Sequence, residues 1–188
     1  MIPTRQQCLF LFDRYSLPSQ KRIHVEAVAR LALFLAGKLK TQSASRRTNP
    51  KIDEQLLEAA TLLHDIDKNI PRREGERHPD TAVRVLKELG YDEIAGIIAR
   101  HSLHCILDPK ITPESWEAKI LFLADKMTKY EVIGVDRRFK LWYRENLPPA
   151  AVAELKACYP LVKTLEQELF TAAGITVFDI EQEFANNH

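Results

Sequence analysis

Apolar residues return every three or four positions along nearly the whole of this chain, and little interrupts that rhythm. Such spacing lines one side of an α-helix with core residues and leaves the other side to solvent. Only six of the 188 residues are glycine, too few to turn a series of hairpins. The expected fold class is all-α: a helical bundle with an additional C-terminal helix.

Local signals divide the chain. Thr4 to about Ser16 reads as a short first helix. Ser19 is the expected cap of a second, running to about Lys40, with His24, Val28, Leu31 and Leu35 on one stripe. TQSASRRTNP, polar and ending in Pro50, reads as a surface loop and as the stretch expected to be least ordered. Asp53 or a neighbour caps a third helix, rich in Leu and Ala, that ends near Asp67. A basic loop, NIPRREGER, precedes a fourth helix with Pro79 at its first position and Gly90 at its close. Asp92 is the expected cap of a fifth, on which Ile94, Ile97, Ile98 and His101 share a face. Thr112-Pro113-Glu114 is the expected start of a sixth, which carries Ile120, Leu121, Ala124 and Asp125. A last long helix runs from about Ala150 to Ala173 and ends at Gly174; ITVFDIEQEF is then a tail or a short docking helix. No domain boundary is evident, so residues 1–188 form one expected domain, with a core over about 18–140 and an accessory helix and tail over about 148–188.

Five polar residues do not belong where this pattern puts them. His24, His64, Asp65, His101 and Asp125 lie in or beside apolar helical stretches. A single buried histidine usually means a satisfied core residue, and Asp65 alone would suit a helix end. Five such residues on four separate helices are different, because a buried charge or imidazole needs a partner and helices of a bundle can converge. Inward-facing imidazole and carboxylate groups are how bundles build metal sites. That donor mixture suits iron, manganese or cobalt, is compatible with magnesium, nickel or zinc, and is too nitrogen-rich for a dedicated calcium site.

Other function classes lose support. The formal net charge of +1 gives no global attraction to nucleic acid or a membrane surface. There is no Walker or Rossmann glycine pattern, and no serine or cysteine has the setting of a nucleophile. Cys8, Cys105 and Cys158 form no C-x-x-C pair, and their odd number argues against a disulfide framework. The N-terminal apolar run is short and broken by Asp13 and Arg14, which fits neither a secretory signal nor a membrane span. A cytoplasmic location is expected.

The order His24, then His64-Asp65, then Asp125 resembles the H…HD…D signature of the HD superfamily of metal-dependent phosphohydrolases. The dipeptide by itself is uninformative; its settings, LLHDIDK and FLADK, carry the resemblance, which spans roughly residues 18–130. ERHPDTAVRVL adds His78 and IIARHS adds His101. Extra histidines between the HD pair and the last aspartate resemble the superfamily's two-metal members. The whole pattern is most similar to the bacterial HD-domain hydrolases that cleave diadenosine tetraphosphate symmetrically into two ADP. Two segments depart from them: TQSASRRTNP resembles an insertion, and MTKYEVIGVDRRFKLW stands where that family more usually has an EP-x-R segment.

The resemblance implies a set of roles. His24, His64, Asp65, His78, His101 and Asp125 would ligate two divalent ions, with Asp65 as a bridge. Lys68, one turn beyond His64, would bind phosphate and serve catalysis with Asp65. His104, Arg72 and Arg73 are candidate substrate contacts, Arg77 flanks the same mouth, and Arg137 and Arg138 form a second basic cluster. Asp67 is expected either to support a ligand from behind or to lie on the surface. A metal-activated hydroxide would attack phosphorus in a small nucleotide substrate. Other readings are an HD-type nucleoside monophosphatase or other phosphoesterase, and a non-catalytic metal-stabilised regulatory module. The C-terminal helix and tail could serve a homodimer.

Overall fold

Short apolar stripes joined by capped turns fold into an all-α bundle. The computed structural model describes residues 1–46 and 51–185. Nine α-helices occur among these residues: α1 Arg5–Arg14, α2 Ser19–Arg46, α3 Glu54–Leu63, α4 Asp80–Glu88, α5 Asp92–Ile98, α6 Trp116–Lys126, α7 Val135–Tyr143, α8 Pro149–Ala173 and α9 Val177–Ala185. Two 3-10 turns, Ile66–Asn69 and Leu103–Leu107, complete the set. No strand forms among the described residues; a single bridge joins Thr128 and Val132.

α2 is the axis of the bundle and packs on α3, α6 and α8. Its inward stripe, Val28, Leu31, Leu35 and Leu39, is essentially inaccessible to solvent, as are Leu57 and Leu62 of α3 and Ile120, Leu121 and Phe122 of α6. Burying such side chains contributes about 1.5–3 kcal/mol each relative to leaving them exposed. α9 docks on the same axis, with Ile180 buried and the Phe184 ring edge-on to Phe34 at 5.7 Å.

Several boundaries differ from the sequence-based expectation. α2 does not stop near Lys40 but runs through Arg46, so most of the expected loop is helix. Nothing before Pro50 forbids this, and the Thr41 hydroxyl donates to the Gly37 carbonyl (2.9 Å), a bond that a helix accommodates. Residues 47–50 of that segment lie outside the described ones. Ser19 is the first helical residue rather than the cap, because the Pro18 carbonyl already accepts from Lys21 and Arg22. Pro79 is likewise the cap of α4, not its first residue, and Asp92 begins α5 behind Tyr91. Ser115, not Thr112, caps α6, its hydroxyl accepting from the Ala118 N–H at 3.1 Å. α3 ends at Leu63 rather than near Asp67. α7 was not anticipated: it is short and its cap position is Gly134, which has no side chain to cap it, so its sequence carries a weak start signal.

Candidate metal centre

Most of the proposed ligands sit where helices end. His64 caps the C-terminus of α3, and Asp65 occupies the joint between α3 and the 3-10 turn that follows. His101 follows the last turn of α5, Asp125 lies in the last turn of α6, and His78 precedes α4. His24 alone comes from within a helix, α2. The break in α3 turns the Asp65 carboxylate toward the same space as the His64 ring, which one unbroken helix would not achieve for neighbouring residues.

The last carbonyls of a helix have no partner within it. His64 uses one: its Nδ1–H donates to the Thr61 carbonyl at 2.7 Å. His101 repeats the device, with Nδ1–H donating to the Ile98 carbonyl at 2.6 Å. His24 donates from Nδ1 to the Lys129 carbonyl at 2.7 Å. His78 donates from Nδ1 to the Asp67 carboxylate at 2.9 Å. Three of these acceptors are carbonyls, which can only accept, so Nδ1 must hold the hydrogen and Nε2 presents its lone pair.

Those lone pairs converge. His24 Nε2 lies 3.3 Å from His64 Nε2, and His78 Nε2 lies 3.0 Å from His101 Nε2. The four rings form an arc in the order His24, His64, His101, His78, with successive centroids 5.3, 5.1 and 4.9 Å apart. Imidazoles held this way, when Nε2 carries no proton, oppose lone pair to lone pair, and an electron-pair acceptor between them removes the repulsion. A metal ion does this for all four rings, and the donor set fits one.

Two carboxylates close the arc. Asp125 Oδ1 stands 3.1 Å from His24 Nε2 and 3.7 Å from His64 Nε2. Asp65 turns Oδ2 toward His24 (4.0 Å) and Oδ1 toward His78 (3.5 Å), so its two oxygens serve opposite ends of the arc. Three sets of mutually close donor atoms result: His24, His64 and Asp65; His64, His101 and Asp125; Asp65, His78 and His101. Asp65 belongs to two of them, as a bridging carboxylate would.

Electrostatics hold these groups in ligating form. Burial pushes the His101 imidazole well below its ordinary value, and His64, Lys126 and His78 add to the shift, so it is neutral at pH 7. Burial works against ionising Asp65, but His64, Lys68 and Lys21 overcome it and hold the carboxyl far below its usual range. At Asp125 burial is likewise outweighed, chiefly by the Lys126 ammonium group beside it, and the carboxyl stays well below its usual range.

Lys68 lies in the centre, though not as an α-helical neighbour of His64. The 3-10 turn brings its Nζ to 3.0 Å from Asp65 Oδ1. Asp67 is buried, and of the two roles open to it the one it fills is the support of His78. Arg72, Arg73 and Arg77 are exposed, and Arg73 pairs with Glu88 at 3.1 Å. His104 faces Cys105, 3.8 Å away, and makes no hydrogen bond to the six central residues. Two lysines escaped the reading of the sequence. Lys21 reaches Asp65 Oδ2 at 2.9 Å, and its position three residues before His24, on the same helix face, was a usable signal. Lys126 is 3% exposed and joins Asp125 Oδ2 (2.5 Å) to the His101 carbonyl (2.6 Å); a lysine inside an apolar helix was the sign.

Comparison with known proteins adds the family-level finding. The family model described as HD domain matches residues 22–130, more than half of the chain and all six central residues. An uncharacterised protein of Methanocaldococcus jannaschii is 29% identical over 140 residues, covering 66% of this chain and 78% of its own length. No solved structure matches significantly.

Proposed function

The chain belongs to the HD domain family, and from that premise we propose that it is a metal-dependent phosphohydrolase acting on nucleotides that carry a phosphate chain. Symmetrical cleavage of diadenosine tetraphosphate to two ADP is the specific reaction proposed. One observation carries the reading: four imidazole Nε2 atoms, freed by Nδ1 hydrogen bonds, meet two ionised carboxylates in a single cluster. Divalent ions bound there, iron, manganese or cobalt by donor chemistry, would supply Lewis acidity and a source of hydroxide near neutral pH.

The protein's own groups have distinct tasks. His24, His64, His78, His101, Asp65 and Asp125 hold the centre. Asp67 and the helix-end carbonyls keep the rings in the ligating tautomer. Lys126 keeps Asp125 ionised and in place. Lys68 and Lys21, which bond the two oxygens of Asp65, would meet phosphoryl oxygens as charge develops on them.

The test is turnover by protein supplied with Fe²⁺, Mn²⁺ or Co²⁺, on diadenosine tetraphosphate and a panel of mononucleotides, beside His64→Ala. ADP as the sole nucleotide product, with a loss of at least about a thousandfold in the variant, is expected if the metal supplies the nucleophile. Release of phosphate from 5′-monophosphates alone would move the substrate to the nucleoside monophosphates. Equal background rates in both proteins, with no metal bound, would overturn the enzyme reading.

A further inference from the structure

α7 begins where the connection after Asp125 turns back. The Met127 carbonyl accepts from both the Ile133 and Gly134 N–H groups, at 2.8 and 3.0 Å, and Gly134 takes φ +78° to start the helix. That conformation is available to glycine and strained for other residues. Phe139 anchors the helix: it is buried and meets Trp142 and Tyr159 edge-on at 5.0 and 5.1 Å. Arg138 therefore rides on a well-fixed element.

Its guanidinium lies over the Trp142 ring, 4.3 Å from the centroid. Stacking of this kind holds the plane of the group and leaves its N–H edge free. Arg138 makes no hydrogen bond or ion pair among the described residues, and its Nε is buried without a partner. Only one other buried side-chain polar atom among the described residues shares that state, Thr128 Oγ1, in the same connection. Elsewhere among the described residues Arg5, Arg22, Arg73, Arg84 and Arg100 each pair with a carboxylate. Burial lowers the Arg138 pKa, while its charge is felt by Asp125, Glu145, Tyr130 and Asp65, yet none of them bonds it. An orphaned buried donor in a folded protein calls for an explanation, and a ligand is one.

Charge at the centre points to the ligand's class. Lys21 and Lys68 serve the two oxygens of Asp65, and Lys126 serves Asp125. Three lysines thus match the buried carboxylates Asp65, Asp67 and Asp125 without Arg138. The guanidinium is surplus positive charge beside a centre proposed to add more in the form of divalent ions. A phosphate chain with several negative charges suits that field better than a single phosphomonoester. A planar fork of donors suits phosphate oxygens.

We propose that Arg138 is a substrate-binding residue that grips the phosphate chain of the nucleotide and so selects substrates with more than one phosphate. This rests on the phosphohydrolase reading for its relation to turnover, while the binding of a polyphosphate anion is measured separately. The probe is ADP, titrated calorimetrically into metal-loaded protein and into Arg138→Gln, Arg138→Lys and Lys140→Gln. Lys140 is exposed on the same helix and controls for a general change of charge.

Arg138→Gln is expected to weaken ADP binding at least tenfold and to raise KM for diadenosine tetraphosphate by a similar factor. Arg138→Lys should recover part of both, and Lys140→Gln should leave both within twofold. Metal content should be unchanged, and Tm unchanged or raised, since the substitution removes a partly desolvated charge that no hydrogen bond or ion pair among the described residues satisfies. ADP binding and KM within twofold of wild type in Arg138→Gln would overturn the proposal. So would a loss of bound metal or a fall in Tm that accounts for the weaker binding. If wild type hydrolyses no phosphate ester but binds ADP through Arg138, the phosphohydrolase reading fails and the anion site stands.

Discussion

Burial keeps the His101 imidazole neutral well into the acid range, and this makes metal-free protein acid-sensitive. In the unfolded chain the ring takes up a proton as the pH drops below its ordinary value of 6.5; in the folded protein it does not until a lower pH. Across that window the unfolded state binds the extra proton, so stability falls as pH falls. Asp65 and Asp125 act lower on the scale. Their folded values lie below the ordinary 3.8, so their contribution is present above that pH and is lost as pH falls through the depressed values. Melting of chelator-treated protein should therefore show Tm falling between pH 7 and pH 5, with a shallower slope in His101→Gln. Equal slopes would mean that His101 is not the group responsible. At Asp67 the expectation concerns metal affinity: Asp67→Asn leaves His78 without its anionic partner and should weaken binding of the ion about 10–100-fold. Metal titration of the variant checks this, and wild-type affinity would refute it. The three cysteines are free and buried, with Cys8 pushed up to about 12 and Cys158 to about 11 chiefly by burial. A thiol reagent at pH 8 should find none of them reactive in native protein and all three after denaturation.

Helix ends do much of the work at the next scale, since five of the six central residues sit at or near one. α3, which delivers His64, starts at Asp53, whose carboxylate accepts from the Leu56 N–H at 3.0 Å. The Asp53 N–H is itself held by Glu117 of α6 at 2.9 Å. Asp53→Ala should cost about 1 kcal/mol of stability, the usual value of such a cap, read as a shift in denaturant midpoint. At the other end of the chain, Gly174 takes the left-handed conformation with φ +65° to close α8, and a Cβ there would stand 2.5 Å from the Gln42 amide. Gly174→Ala should therefore destabilise by about 1–2 kcal/mol in the same measurement. Gly174 was readable as a terminator, because a glycine after a long apolar repeat has few other uses. The start of α6 was not: Thr112-Pro113-Glu114 and Ser115 all offer helix-start chemistry within four residues, and which one caps is decided by how α6 packs. α7 hid for a related reason, since its apolar positions, Val135, Phe139 and Trp142, span barely two turns behind a glycine.

For the molecule as a whole, a centre shared by five segments of chain should couple metal binding to folding. An ion that binds the folded form alone stabilises it by about 2.7 kcal/mol at a free concentration one hundred times its Kd. Chelation should lower Tm, and Mn²⁺ or Co²⁺ should restore it; an unchanged Tm would argue against a metal held by these residues. The all-α class and the stripe of α2 were set by the sequence alone, because 3.6-residue periodicity is a local property. The anomaly of His24, His64, Asp65, His101 and Asp125 was equally local, since each is a polar residue where an apolar one is expected. Tertiary structure alone decided how these residues meet. The direction of each Nε2 depends on which carbonyl or carboxylate lies behind the ring, and those acceptors come from Lys129 and Asp67 as well as from the ring's own helix. The partners of Lys21 and Lys126, and the lack of a hydrogen-bond acceptor for Arg138 among the described residues, follow from the packing of α2, α6 and α7, and side-chain contacts between segments far apart in sequence leave no periodic trace in it.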